Sequence, residues 1–206
     1  MLGFYNYTVV LTYVGMLIGF AGMTFAMNGN LQNALICLMV AGMCDMFDGK
    51  IASTKERTAQ EKRFGVQIDS LSDLICFGGL PAIIVYTVSN SSVLTFYIAG
   101  LYFLCALIRL AWFNVDEEER QKSSDGPREF YLGMPVTTIA LLLPALLGLG
   151  RLYGWPLNPV GIGVLVFSGL AFLTPFRLKK PKLRGKICML LCGCAELAIL
   201  LMGVKL

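Results

Sequence analysis

Four aspartates interrupt an apolar stretch of chain: Asp45, Asp48, Asp69 and Asp73. Asp45 and Asp48 are three residues apart, and Asp69 and Asp73 four, so each pair projects from one face of a helix. Gly49 and Ala52 continue near the first face, and Gly65 precedes Asp69 by one turn on the second. The polar linker from Ser53 to about Phe64 is short, which predicts antiparallel neighbouring helices and converging carboxylates. Four ionised carboxylates in a low-dielectric place repel one another. Protonation relieves the repulsion, and so does cation binding. The chain has no histidine, and oxygen-only donors favour hard ions such as Mg²⁺, Mn²⁺ or Ca²⁺. Two divalent ions would balance the four charges. Mg²⁺ keeps positions open for phosphate oxygens, which points to phosphoryl or phosphodiester chemistry. The competing readings are a structural ion pair and a proton relay, as in a transporter. Neither requires glycines on the same faces as the acids.

The elements that carry these acids are set by composition. Of 206 residues, 56% are hydrophobic and 15% charged, and mean hydropathy is +0.70. A soluble domain of this size could not bury so much apolar surface, so an all-α polytopic membrane bundle is expected. About seven apolar segments are visible, at 6–28, 32–52, 66–88, 92–114, 134–150, 158–175 and 187–204. A single domain over 1–206 is the simplest organisation. Fourteen of the 17 Lys and Arg residues lie in three alternate loops, the last being "FRLKKPKLRGK". The positive-inside rule then puts those loops and the N-terminus in the cytoplasm and the C-terminus outside. No basic residue precedes the first segment, so a cleaved signal peptide is not expected. The same rule accounts for the net charge of +4 without a nucleic-acid partner, and the basic loops can attract anionic membrane lipid.

The other notable residues read more plainly. All seven cysteines fall in or at the ends of apolar segments, where cysteine acts as a small hydrophobe. "CMLLCGC" lacks the second half of a metal site. Arg109 lies within the fourth segment, one to two turns from its cytoplasmic end; it either binds an anionic substrate group or snorkels to lipid phosphates. Glu196 in the last segment is read as a helix contact or an outer-edge residue. Trp112, Tyr153 and Trp155 are read as interfacial aromatics.

The pattern Asp45-x-x-Asp48-Gly49-x-x-Ala52 followed by Gly65-x-x-x-Asp69-x-x-x-Asp73 resembles the signature of the CDP-alcohol phosphotransferases. "FGVQIDSLSDLICFGGLPA", "IRLAWFNV" and "FYLGMPVT" resemble the branch of that family that uses serine, and "FYNYTVVLTYVG" fits its first helix. The resemblance implies a six-helix core, a homodimer and a polar cavity open to the cytoplasm, here of a bacterial cytoplasmic membrane. It implies CDP-diacylglycerol and L-serine as substrates, with Mg²⁺ or Mn²⁺, as two ions, held by Asp45, Asp48, Asp69 and Asp73. Asp73 would also be the general base. Gly49, Ala52 and Gly65 would lie against the CDP moiety, and Asn6 and Thr8 by the cytidine-phosphate end. Two departures stand out. Ser53 occupies the position of the family's arginine, and the spacer before Gly65 is longer. A lost charge-assisted contact costs roughly 1.5–3 kcal/mol; Arg57 or Lys50 would offset it, or the enzyme is weakened or inactive. A glycerol-phosphate or inositol-phosphate acceptor remains an alternative, though Leu74 stands where the glycerol-phosphate enzymes usually have Lys. With no histidine, a carboxylate is the natural base for the serine hydroxyl, by direct attack or through a covalent intermediate.

Overall fold

Asn6 starts the first helix. Its side chain accepts a hydrogen bond from the Thr8 amide at 3.2 Å, one of the orphan donors at a helix start. From there α1 runs Tyr7–Met27 and α2 Leu31–Ala52. The structure is a computed structural model that describes residues 3–123, 130–179 and 183–201. The two helices approach closely because α1 offers glycine to α2 and to the helix beyond it. A Cβ on Gly22 would stand 2.8 Å from the Cys37 Cβ, and one on Gly19 would meet the Cys76 sulfur at 2.5 Å. In hydrocarbon, where excluding water contributes little, such close packing supplies the attraction between helices. Cys37, Cys44 and Cys76 thus serve as small packing residues, and they form no disulfide.

Helix α3 (Ala59–Asp73) begins with a capping box, Thr58 and Glu61 each bonding the other's backbone amide. It starts earlier than hydropathy suggests, because the Thr-x-x-Glu spacing satisfies two orphan amides within polar sequence. A single wide turn, Leu74–Gly79, joins it to α4 (Leu80–Val88). Pro81 explains that turn. It has no N–H for the Phe77 carbonyl, and its ring would clash with that oxygen in a regular helix. The buried Tyr102 hydroxyl donates to the Phe77 carbonyl instead. The rod Ala59–Val88 is therefore continuous but re-registered directly after Asp73.

Helix α5 spans Val93–Ser123, past the apolar segment. Its polar end carries a Glu117–Arg120 ion pair at 2.6 Å, one turn apart. Strand β1 (Phe130–Leu132) follows, then a short 3₁₀ turn at Val136–Thr138 leading into α6 (Ile139–Leu152). Helix α7 (Leu157–Leu173), strand β2 (Arg177–Lys179) and α8 (Leu183–Leu201) complete the described residues. The two strands pair antiparallel with Tyr131 opposite Leu178. This small sheet joins two of the basic loops, so both emerge at one end of the bundle. The alternating passes expected from the sequence require that.

Each apolar segment has become one helical rod, and the molecule is an all-α membrane bundle with this one small sheet. Among the described residues, Tyr7–Met27, Ala59–Val88 and Val93–Arg120 are long and apolar enough to cross a membrane. Val136–Leu152 and Leu157–Leu173 are apolar but shorter. The core between the rods is built from Leu35, Leu38, Phe77, Ile84, Leu143 and Leu165. The faces of α1 and α5 that carry Leu17, Phe20, Phe96 and Leu101 point outward, as lipid-facing surfaces do.

Candidate active site

The linker folds so that the end of α2 and the body of α3 face each other. One carboxylate oxygen from each of Asp45, Asp48 and Asp69 lies within 4.8 Å of the others. Asp73 stands outside that trio but beside Asp45. All four acids line one cavity of about 630 Å³. Among the described residues, the ion pairs Lys55–Glu61 and Glu117–Arg120 leave these aspartates out. Three carboxylates thus converge, with a fourth beside them, in one cavity. Their donors are all oxygen, and their spacing suits a shared hard cation.

Asp48 is the most enclosed member of the trio, at 8% exposure. Its Oδ2 accepts a hydrogen bond from the hydroxyl of Thr12 on α1 at 3.0 Å. Sequence reasoning missed Thr12. A signal was present, since Thr8 and Thr12 are one turn apart at the start of a largely apolar helix. Across the same contact, the Ser72 hydroxyl donates to the Thr12 carbonyl at 3.4 Å.

Arg109 opens onto the same cavity from α5. It is only 6% exposed, so it does not snorkel; it is directed into the protein. Its Nε donates to the Met134 carbonyl at 3.3 Å, and the guanidinium lies 5.8 Å from the Phe113 ring centre. Met134 is held by the turn at Gly133, whose φ of +76° suits glycine. The Gly133 amide donates to the Phe176 carbonyl at 2.7 Å, and the Met134 amide to the Ala171 carbonyl at 3.1 Å. The segment "FYLGMPVT" is thereby fastened to the end of α7, and its end, Pro135, Val136 and Thr137, forms one wall of the cavity with Thr138.

The remaining sequence candidates take varied positions. Gly49 is exposed, and a Cβ there would meet nothing within 4 Å, so open space lies beside it. Ala52, half-buried, ends α2. Ser53 caps that end and donates its hydroxyl to the Lys50 carbonyl at 2.7 Å. Arg57 reaches back so that its Nη1 lies 3.2 Å from where a Cβ on Gly65 would stand. A guanidinium thus sits on the helix face that also carries Asp69 and Asp73, one and two turns on. Asn6 and Thr8 are occupied with one another. The Asn6 side chain accepts from Thr8 and donates to Glu61 Oε1 at 2.9 Å, and Thr8 is buried. Together they clamp the start of α1 to the start of α3. Glu196 is half-buried on α8, with one oxygen enclosed and unpartnered among the described residues. Trp112, Tyr153 and Trp155 are exposed, as interfacial aromatics would be.

The sequence matches known proteins over most of its length. The CDP-alcohol phosphatidyltransferase family model matches residues 5–172. Over 144 residues the chain is 35% identical to the CDP-diacylglycerol–serine O-phosphatidyltransferase of Saccharomyces cerevisiae, which covers 64% of this chain and 51% of that protein. It is 26% identical over 201 residues to the protein of the same name from Mycobacterium tuberculosis, covering 92% of this chain and 69% of the relative. The archaetidylserine synthase of Methanothermobacter thermautotrophicus is 29% identical over 126 residues, covering 61% of this chain and 50% of that protein. The chain spans about half the length of the yeast and archaeal relatives it matches.

Proposed function

Because this chain belongs to the CDP-alcohol phosphatidyltransferase family, we propose that it transfers the phosphatidyl group of CDP-diacylglycerol to L-serine, giving phosphatidylserine and CMP. The observation that carries the reading is the convergence of Asp45, Asp48 and Asp69, with Asp73 beside them, in a cavity that also holds the buried Arg109. The serine acceptor is supported by the names of the relatives, over glycerol phosphate or inositol phosphate.

Each residue has a task in this reaction. Asp45, Asp48, Asp69 and Asp73 would hold Mg²⁺ or Mn²⁺, and two such ions would balance the four carboxylates. Bound divalent ions would neutralise the pyrophosphate oxygens and the departing CMP. Asp73 takes the proton of the serine hydroxyl. The serine oxygen forms its bond to the β-phosphorus, the one that carries the diacylglycerol, and the bond from that phosphorus to the oxygen of CMP breaks. Arg109, kept in place by the Met134 carbonyl, receives the serine carboxylate. Gly49 and Ala52 leave room for the CDP group against the backbone, and Gly65 lets the Arg57 guanidinium lie close to the helix beside it. Arg57 supplies the phosphate contact that Ser53 cannot, because serine carries no charge and its hydroxyl is used in the helix cap. Asn6 and Thr8 act on the nucleotide end indirectly, by fixing where α1 meets α3.

The membrane setting follows from the substrate. The acyl chains of CDP-diacylglycerol stay in lipid while the head group enters the cavity. The reading assigns one domain over residues 1–206, a cytoplasm-facing site in a bacterial cytoplasmic membrane, an N-terminus inside and a C-terminus outside. A homodimer is part of the proposal. The test is CMP release from CDP-diacylglycerol by purified protein, with L-serine, glycerol 3-phosphate and inositol phosphate compared as acceptors. Serine-dependent release is expected. Release driven by another acceptor would move the assignment within the family, and metal-independent ion flux without CMP would replace it by a transporter.

A further inference from the structure

We infer that Thr12, on α1, is a positioning residue that sets the orientation of the Asp48 carboxylate for cation binding. The inference rests on the metal reading above and adds to it a residue from outside the two helices that carry the four acids.

Three observations converge on Thr12. Its hydroxyl donates to Asp48 Oδ2 at 3.0 Å, joining residues 36 apart in the chain. Both residues are 8% exposed, so water competes little for the bond. The choice of partner is unusual for this chain. A threonine within a helix readily turns its hydroxyl onto a carbonyl of the preceding turn. Thr24 does so to Phe20 at 3.3 Å and Thr87 to Ile83 at 3.0 Å, and Thr174, capping the end of α7, bonds Leu170 in the same way at 2.7 Å. Thr12 reaches across to a neighbouring helix instead. Its own carbonyl accepts from Ser72, which lies between Asp69 and Asp73, so α1 is fastened to both acid-bearing helices at one level.

The consequence is chemical. A carboxylate can rotate about its terminal bond and present either oxygen. A fixed donor on Oδ2 restrains that rotation, and so fixes how the carboxylate is presented to the cluster it forms with Asp45 and Asp69. Partners of this kind around a metal ligand are worth about 10- to 100-fold in metal affinity or activity when removed. Thr12 is not among the residues lining the cavity; it acts through Asp48.

The test measures Mn²⁺ binding to the detergent-solubilised full chain by electron paramagnetic resonance, without lipid substrate. Four proteins are compared: wild type, Thr12→Val, Thr12→Ser and Thr24→Val. Thr12→Val keeps the shape and loses the donor, so Mn²⁺ affinity should fall about 10-fold or more. Thr12→Ser retains the hydroxyl and should bind as wild type does. Thr24→Val removes a hydroxyl used within its own helix and should also leave binding unchanged. The metal-free melting temperature identifies any variant with disturbed packing, and Thr12→Ala then serves as the second variant. Wild-type affinity in a folded Thr12→Val or Thr12→Ala protein overturns the inference and leaves the metal site standing. A wild type that binds no Mn²⁺ overturns the metal reading and this inference with it.

Discussion

Asp73 is beside Asp45 yet outside the trio that shares the tightest spacing, which fits a group that both neighbours a cation and takes a proton. Asp73→Asn keeps the shape and loses the base. CMP release should fall by about 10²- to 10⁴-fold, the usual contribution of a general base, while the melting temperature stays near wild type. Equal turnover in the variant would remove the assignment. Arg57 supports a second prediction. Its guanidinium lies over Gly65, so Arg57→Ala should raise the KM for CDP-diacylglycerol by roughly 10-fold or more, the size of a lost charge-assisted contact. Ser53→Arg in that background should recover part of the loss, measured as kcat/KM for the lipid. Spacing alone pointed to the convergence of Asp45, Asp48 and Asp69, because helical geometry converts three- and four-residue intervals into shared faces. Thr12 was not legible in the same way, since nothing local to α1 says which residue 36 positions on it will meet. Arg109 was ambiguous until its burial excluded snorkelling.

At the scale of elements, the wide turn after Asp73 and the glycine turn before Met134 matter most. The turn at Leu74–Gly79 leaves the Phe77 carbonyl dependent on Tyr102. Tyr102→Phe strands that buried acceptor and should destabilise the protein by about 1–3 kcal/mol, seen as a lower midpoint in thermal or denaturant unfolding in detergent. An unchanged midpoint would show that the hydroxyl is not needed there. At Gly133 a Cβ would stand 3.0 Å from the Thr174 carbonyl oxygen and 3.1 Å from that of Phe172, on a backbone already at φ +76°. Gly133→Ala should therefore displace Met134 and, with it, Arg109. The expected kinetic sign is a higher KM for serine with little change in the KM for CDP-diacylglycerol. Both KM values rising together would argue against a serine-side role for this wall. The sequence carried part of this. Apolar runs predicted every helical rod, and Pro81 after Gly78-Gly79 marks the irregular turn. Thr58-x-x-Glu61 marks the early start of α3. The β1–β2 pair was not foreseeable, because three-residue strands in polar loops have too short a pattern to read.

For the whole molecule, seven helical rods among the described residues hold the acids at one end of a bundle whose outward faces are apolar. The sheet between β1 and β2 ties two basic loops together at one end, consistent with alternating passes. A cysteine introduced in the 53–58 linker should react with impermeant thiol reagents only after the cytoplasmic face is opened, once the native cysteines are replaced. Labelling of sealed cells from outside would reverse the orientation. The central claim is that α2 and α3 present a carboxylate cluster that binds divalent cations for phosphatidyl transfer. It is tested most directly by CMP release from CDP-diacylglycerol with L-serine, on protein stripped with EDTA and then supplied with Mg²⁺ or Mn²⁺. The account predicts no release after stripping, recovery on adding metal, and one phosphatidylserine formed per CMP. Serine-dependent release that persists undiminished in EDTA, or none in the metal-replenished protein, would contradict it.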